Sequence, residues 1–597
     1  MENNHTKQTN ANVQEKSNLI WNIANLLRGA YKPYEYGKVI LPMTVIKRLH
    51  DTLLPTHEAV IKAAEQHKDK ATELAAMFIK EATKTPENPN GYDFFNTSPF
   101  TFDKLLADAD QIETNFRAYL NGFSENVQEI LENFEFENQI SKLADNNSLF
   151  LIITEFNSAK AKLGADEMTS TDMGYVFEEL VRRFSESTNE GAGEHFTSRD
   201  IIYLMTDLLL VNDKDILTKQ NITKTVYDQT MGTSQMLSAM QERIHELNKS
   251  VDVVTYGQEF NPETFAIAKS DTMIRGGNPD NMKKGNTLSE DQFPGYTFDY
   301  CISNPPFGID WKTAKDAVEA EHALGENGRF APGTPKISDG QLLFQLNGLS
   351  KLKDHGRMAI VHNGSALFSG NAGGGESEIR RYVIENDYLE AIVQLPTDLF
   401  YNTGISTYVW IFSKNKSAER AGKIQLIDAS QMYVKRRKNI GSKRVEIDTA
   451  NRDAIVQAYG DFQEKNYEVA GNVLESKIFD NEDFGFSKIV VQTPLKDEAG
   501  EIILKKGKPT ADKDAKDTED IPLKENIEDY FEREVLPYNP GAWIDEKGTK
   551  IGYEIPFTRL FYKYVAPEAS ETIASRIKEL EASIMKSFDA LANGEVK

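Results

Sequence analysis

Apolar positions in the first 165 residues recur at helical spacing. Ile20, Ile23, Ala24 and Leu27 fall at i, i+3, i+4 and i+7 behind Ser17, a residue suited to a helix start. Val39-Ile40-Leu41, Ile46 and Leu49 predict a second helix, and residues 84–100, rich in Thr, Asn and Pro, a loop. This N-terminal helical domain (1–165) carries no evident chemistry and reads as a packing or interface domain.

From about residue 166 the pattern changes. Apolar strands are predicted at 225–228, 251–257, 297–303, 357–362, 388–394 and 407–412. Helical repeats separate most of them, such as Met236, Met240, Ile244 and Leu247. This alternation predicts an α/β, Rossmann-like doubly wound sheet over 166–475. Such sheets bind ligands at the carboxyl ends of their strands. The C-terminal segment 476–597 is less regular. Residues 505–520, dense in Lys, Asp, Gly and Thr, predict a mobile loop. The last 30 residues return to helix after Pro567. Ile573, Ile577, Leu580, Ile584, Phe588 and Leu591 form a stripe at three- and four-residue steps, which predicts a partner seam.

The strand at 297–303 ends in Asn304-Pro305-Pro306-Phe307. The Asn304 side-chain oxygen and the Pro305 carbonyl can each accept a hydrogen bond from a planar exocyclic amine such as that of adenine. Two acceptors favour a pyramidal nitrogen with its lone pair directed outward. Attack then needs positioning and electrostatics, not a strong base. Phe307 can stack on the base, and the two prolines stiffen the turn. Taken alone, the four residues fit equally a strand stopped by a proline-rich turn.

Two other strand ends suit a nucleotide-type ligand. The first strand runs into Asp228, then Gln229-Thr230-Met231-Gly232-Thr233-Ser234 and a helix. Gly232 permits close backbone approach there. The next strand ends near Glu259, which suits the two ribose hydroxyls of an adenosyl group or, alternatively, a helix cap before Asn261-Pro262. Upstream, Thr197 and Asp200 have the spacing of a capping box at a helix whose free N–H groups suit a carboxylate.

In this order the segments resemble the modification (methyltransferase) subunit of type I restriction–modification systems, in the family of N6-adenine DNA methyltransferases. Gly193 to Thr197 come first, then Asp228 to Ser234, Glu259, Gly285-Asn286-Thr287-Leu288 and Asn304 to Phe307. Residues 172–180, 375–381 and 395–405 are similar to the same family. The resemblance implies S-adenosylmethionine as donor and adenine in DNA as acceptor. It implies a separate specificity subunit, a restriction subunit and a second copy of the chain as partners. Carried over, Glu194, His195, Phe196 and Thr197 lie near the donor's methionine part. Asp228, Gly232, Thr233, Ser234 and Glu259 line its turn and ribose, and Asn286 and Thr287 its adenine. Asn304, Pro305, Pro306 and Phe307 hold the target base. The family pattern has Pro where Gln229 stands, Gly for Ser234, Asp for Asn286 and Pro for Ser198. These departures bear on donor affinity, and they motivate the alternative of a non-catalytic assembly subunit with the same fold. A methyltransferase for another planar amine or amide, in RNA or protein, is the third reading.

Composition adjusts this picture. The net charge of −24 disfavours a long phosphate-binding surface, so the cations are concentrated locally or a partner supplies most of the DNA grip. Lys435-Arg436-Arg437-Lys438 with Lys443 and Arg444 is the densest basic stretch, either solvated surface or a backbone contact. The Arg329–Lys336 segment, with its glycine and prolines, reads as a mobile binding loop, and Lys336 as a further DNA contact. One cysteine, Cys301, excludes an internal disulfide framework, and His and Cys spacing supports no metal site. His195 reads as a structural histidine in its own right. The polar start Met1 to Asn12 has no signal-peptide core, and no apolar run approaches the roughly 20 residues of a membrane span. A cytoplasmic location is expected.

Overall fold

The computed structural model describes residues 2–86, 88–187, 197–401, 403–440, 442–498, 500–564 and 568–592. The N-terminal part is helical. Helices such as Gly37–Leu53, Ile112–Asn121 and Phe136–Asp145 bury Ile40, Phe116, Phe136 and Ile140 in one apolar core. Ala266 and Ile267 of the later helix Pro262–Ile274 belong to the same core. The helical part is thus packed directly onto the α/β part by hydrophobic burial.

Ten strands form the central sheet. They are β1 (Thr223–Asp228), β2 (Asp252–Glu259), β3 (Met282–Lys284), β4 (Phe298–Ser303) and β5 (Leu352–Asn363). The rest are β6 (Leu389–Gln394), β7 (Thr407–Ser413), β8 (Lys423–Asp428), β11 (Lys465–Val469) and β12 (Asn472–Asp480); β9 (Val434–Ile440) and β10 (Lys443–Glu446) pair apart as a hairpin. The order is β11-β12-β8-β6-β7-β5-β4-β1-β2-β3. Strands β3, β2, β1, β4 and β5 are parallel, and β7 runs antiparallel between β5 and β6. The chain winds from β1 to β2 on one side and later returns to β4 on the other. The carboxyl ends of β1, β2 and β4 therefore open a crevice at this switch point. Strand β4 (Phe298-Asp299-Tyr300-Cys301-Ile302-Ser303) is buried along nearly its whole length, and β1 and β2 are buried towards their carboxyl ends, where the crevice opens.

The region after residue 480 is more ordered than its composition predicts. Strand β13 (Gly485–Gln492) pairs with β16 (Asp517–Pro522), β17 (Trp543–Ile544) and β18 (Lys550–Tyr553). The expected mobile loop contains a short hairpin, β14 (Leu504–Lys505) with β15 (Lys508–Pro509). Lys506 and Gly507 turn it with φ of 54° and 77°. Two successive left-handed residues make a tight hairpin turn. Residues Pro556–Lys597 form a second compact unit. Its helix Ser570–Ala592 exposes Ile573, Ile577, Leu580, Ile584 and Phe588, the predicted stripe, while Pro567 and the Leu591 side chain lie outside the described residues. Among the described residues no helix is long and apolar enough to cross a membrane.

A partly buried ionic cluster joins helix Ser170–Ser187 to the α/β part. Arg199 pairs with Glu178 at 2.9 Å and Glu242 at 3.2 Å, and Arg275 with Glu242 at 2.7 Å and Asp271 at 2.8 Å. Gly174 lets the Arg275 guanidinium pass, because a Cβ there would overlap it. Gly174→Ala must displace a charge from its partly buried partners. We expect a loss of about 3 kcal/mol, read by denaturant unfolding.

Candidate active site

A cleft of about 450 Å³ opens at the switch point, within the ~300–1,000 Å³ usual for small-molecule sites. Its walls come from the turn after β1 (Gln229 to Thr233), the tip of β2 (Glu259), residues 286–288 after β3 and Asn304 and Pro306 after β4. Thr197, Phe260 and Trp311 also line it.

Asn304 is held from one side. Its Nδ2 donates to Thr197 Oγ1 at 2.9 Å. Its Oδ1 is buried and has no hydrogen-bond partner among the described residues. A buried acceptor left in this state costs roughly 1–3 kcal/mol, which a ligand donor would recover. Pro305 is buried, Pro306 lines the cleft, and Phe307 packs half-buried against the core without lining the cleft. The expected base-stacking ring is therefore turned towards protein in this state.

Glu259 accepts from the Gly232 N–H at 3.0 Å and the Asn261 N–H at 2.8 Å. The carboxylate thus braces the β1 turn and the entry to the following helix while lining the cleft, and the helix cap itself is Asn261, whose side chain accepts from the Thr264 N–H. Gly232 has φ 53° and Ser234 φ 68°. Ser234, where the family pattern has Gly, occupies the left-handed region that disfavours a Cβ. It is buried and does not line the cleft, so its side chain does not crowd a ligand there. The next residue, Gln235, lines the cleft at 8% exposure, and neither its Oε1 nor its Nε2 has a hydrogen-bond partner among the described residues. Sequence reading missed it, since a glutamine opening a helix is unremarkable. The cleft volume, the braced acid, the glycine approach and this unpartnered amide suit an adenosyl amino acid, to whose polar end Gln235 can both donate and accept hydrogen bonds.

Asp228 is fully buried and does not line the cleft. Its Oδ1 accepts the Thr230 N–H at 3.0 Å. Burial pushes its carboxyl up to about 7, with a smaller push from Glu259, against the hydrogen bonds from Thr230 and Ser303. Burial likewise pushes the Cys301 thiol well up, which makes it inert packing. Thr287 lines the cleft, and its Oγ1 donates to the Gln229 carbonyl at 2.6 Å. The Asn286 Oδ1 accepts the Leu288 N–H at 3.0 Å and shapes the same wall.

Other expectations are corrected. The Thr197–Asp200 capping box does not form. Ser198 is the cap residue without a side-chain cap bond. Asp200 instead accepts from Ser198 Oγ at 2.5 Å, Lys443 Nζ at 2.9 Å and the Ile447 N–H at 3.0 Å. Lys443 is 1% exposed, so this member of the basic stretch is a buried ion-pair partner; a desolvated ammonium needs the carboxylate more than the helix end does. Lys435 and Arg437 are exposed on β9, and Arg436 pairs with Glu446. Lys336 is exposed, while Arg329, at the start of the expected mobile loop, is buried among hydrogen-bond partners. Glu194, His195 and Phe196 lie outside the described residues. Among the described residues no cluster of three His, Cys, Asp or Glu side chains can hold a metal ion.

The strand order, switch-point cleft and Asn-Pro-Pro turn define a protein of the Rossmann-like methyltransferase fold. The family model described as N-6 DNA Methylase matches residues 169–493, and that of the HsdM N-terminal domain residues 16–156. The chain is 24% identical over 455 residues to the type I restriction enzyme MjaIX methylase subunit of Methanocaldococcus jannaschii, covering 71% of this chain and 74% of that one. It is 25% identical over 490 residues to the MpnII methylase subunit of Mycoplasma pneumoniae, covering 75% and 84%. The crystal structure of a type I restriction–modification methyltransferase subunit from Streptococcus thermophilus superposes with a TM-score of 0.59 at 23% identity, over 79% of this chain and 96% of that chain. The chain belongs to the N-6 DNA methylase family, as a modification subunit of the type I restriction–modification kind.

The raised Asp228 carboxyl has a consequence for stability. Its folded value of about 7 lies above the ordinary 3.8, so the folded state holds a proton that the unfolded chain releases. Its contribution is complete below about pH 4 and lost as the pH rises through 7. Asp228→Asn should flatten this part of the profile, with melting temperature against pH as the readout.

Proposed function

We propose that this modification subunit transfers a methyl group from S-adenosylmethionine to the N6 amine of adenine in DNA. The observation that carries the reading is the buried Asn304 Oδ1, a lone acceptor in the wall of the same cleft that Glu259 faces. When bound, the donor supplies an electrophilic methyl carbon on a positively charged sulfur. The chain's own residues do the rest. Thr197 fixes the Asn304 amide so that its oxygen meets the amine of a base rotated out of the duplex. Hydrogen bonding to that oxygen, and to the Pro305 carbonyl, turns the nitrogen lone pair towards the methyl carbon. The N–C bond forms as the S–C bond breaks, and the amine proton leaves to solvent. Base stacking by Phe307 requires its ring to swing out of the core on binding.

Adenine is favoured over another amine by the family to which the chain belongs. The partners follow from the same reading: DNA, a specificity subunit that reads sequence, a restriction subunit and a second copy of the chain. The net charge of −24 supports a partner that supplies most of the phosphate contacts. The exposed stripe from Ile573 to Phe588 is the surface we assign to a partner helix.

The test is transfer of labelled methyl from S-adenosylmethionine to cognate DNA by the chain with its specificity subunit. Label in N6-methyladenine is expected, and no label with all components present would contradict the reading. Asn304→Ala should lower kcat by at least ~100-fold while calorimetry shows donor binding unchanged. A chain that binds no donor would instead be the assembly subunit.

A further inference from the structure

Gln229, which stands where the family pattern has Pro, is completely buried at the cleft wall. Its side-chain Oε1 accepts from Asn347 Nδ2 at 2.7 Å. Asn347, also completely buried, accepts at Oδ1 from Arg329 Nη1 at 2.8 Å. The same Arg329 Nη1 donates to the Thr287 carbonyl at 2.7 Å, and Nη2 to the Leu288 carbonyl at 3.3 Å. Thr287 Oγ1 returns to the Gln229 carbonyl at 2.6 Å. These bonds close a ring: Gln229, Asn347, Arg329, Thr287 and back to Gln229. Glu321, in helix Lys315–Ala323, holds the arginine from outside, accepting from Nε at 2.8 Å.

Two of the ring's corners, Gln229 and Thr287, are adjoining parts of the cleft lining, one from the turn after β1 and one from the segment after β3. The other two come from the chain beyond the Asn-Pro-Pro turn. We propose that Arg329 is a positioning residue that locks the 287–288 segment against the turn after β1 where both line the donor's adenosyl part, and that Gln229 is the substitution that lets it do so. A proline at 229 has no side-chain acceptor for Asn347, and the ring would be open. A planar guanidinium with donors to two successive carbonyls fixes both the distance and the tilt of the 287–288 segment. Because the donors are charged and buried, the wall cannot drift without leaving them unpaired. Arg329 touches no reacting atom in this account. Its effect falls on donor affinity, and the chemistry at Asn304 is left alone.

This inference rests on the methyl-donor reading, and one set of measurements separates the two. S-adenosylmethionine binding is measured by calorimetry on the full chain, and KM for donor and kcat on the chain with its specificity subunit. Arg329→Lys keeps the charge but not the fork. It should raise the donor Kd and KM about tenfold, and Arg329→Met about thirtyfold, with kcat at saturating donor within about twofold of wild type. Gln229→Met should raise Kd by a smaller factor, about threefold, and it carries the test if the arginine variants fail to fold. Equal donor affinity in wild type and variants would overturn the positioning role. So would a fall in kcat with Kd unchanged. Absence of any donor binding by wild type would overturn the methyl-donor reading itself.

Discussion

The hydrogen bond from Asn304 Nδ2 to Thr197 Oγ1 is the constraint on which the site's chemistry depends. An amide has one acceptor end and one donor end, and only the acceptor end can hold an amine. By taking up the donor end, Thr197 leaves Oδ1 as the group at the tip of β4. The pair is separated by 107 residues in sequence. It meets only because the helix starting at Arg199 lies beside the switch point. That helix start is in turn pinned from behind by Asp200 and the buried Lys443, a link from β10 to the target site.

Around this bond the sheet supplies the frame. Parallel strands buried on both faces bring Asp228, Glu259 and Asn304 to one edge, each from the carboxyl end of a different strand. Hydrophobic burial fixes the strands, and the tips then have little freedom. Asp228 braces its own turn through Thr230, and Glu259 braces the neighbouring turn through Gly232. Both acids thus hold backbone, and of the two only Glu259 also lines the cleft.

Much of this was legible in the chain. The apolar runs located β1, β2, β4, β5, β6 and β7, because strands buried on both faces write their burial into composition, whereas β3, β8, β11 and β12 of the same ten-stranded sheet were not predicted. Asn304 to Phe307 and Glu259 stood out for their chemistry at strand ends. What was not legible was side-chain partnership across long separations. Thr197 looked like a cap and became an amide clamp. Lys443 looked like surface charge and is buried. Arg329 looked mobile, although the Thr287 and Leu288 carbonyls, the Asn347 amide oxygen and the Glu321 carboxylate all hold it, partnerships that no local pattern encodes. Gln235 and Asn347 carried no sequence signal, since an amide side chain is informative only once its neighbours are known. The 504–509 hairpin was hidden by a polar composition that loops and exposed hairpins share.

The central claim is that Asn304 Oδ1 receives the exocyclic amine of the target base. The most direct test is a double-mutant cycle on affinity for cognate DNA in the presence of the specificity subunit. Wild type and Asn304→Ala are each measured against DNA with adenine at the target and DNA with purine there, which lacks the amine. The account predicts a coupling of at least about fivefold, near 1 kcal/mol, with purine and adenine becoming equivalent in the variant. Independent, multiplicative effects of the two changes would contradict it.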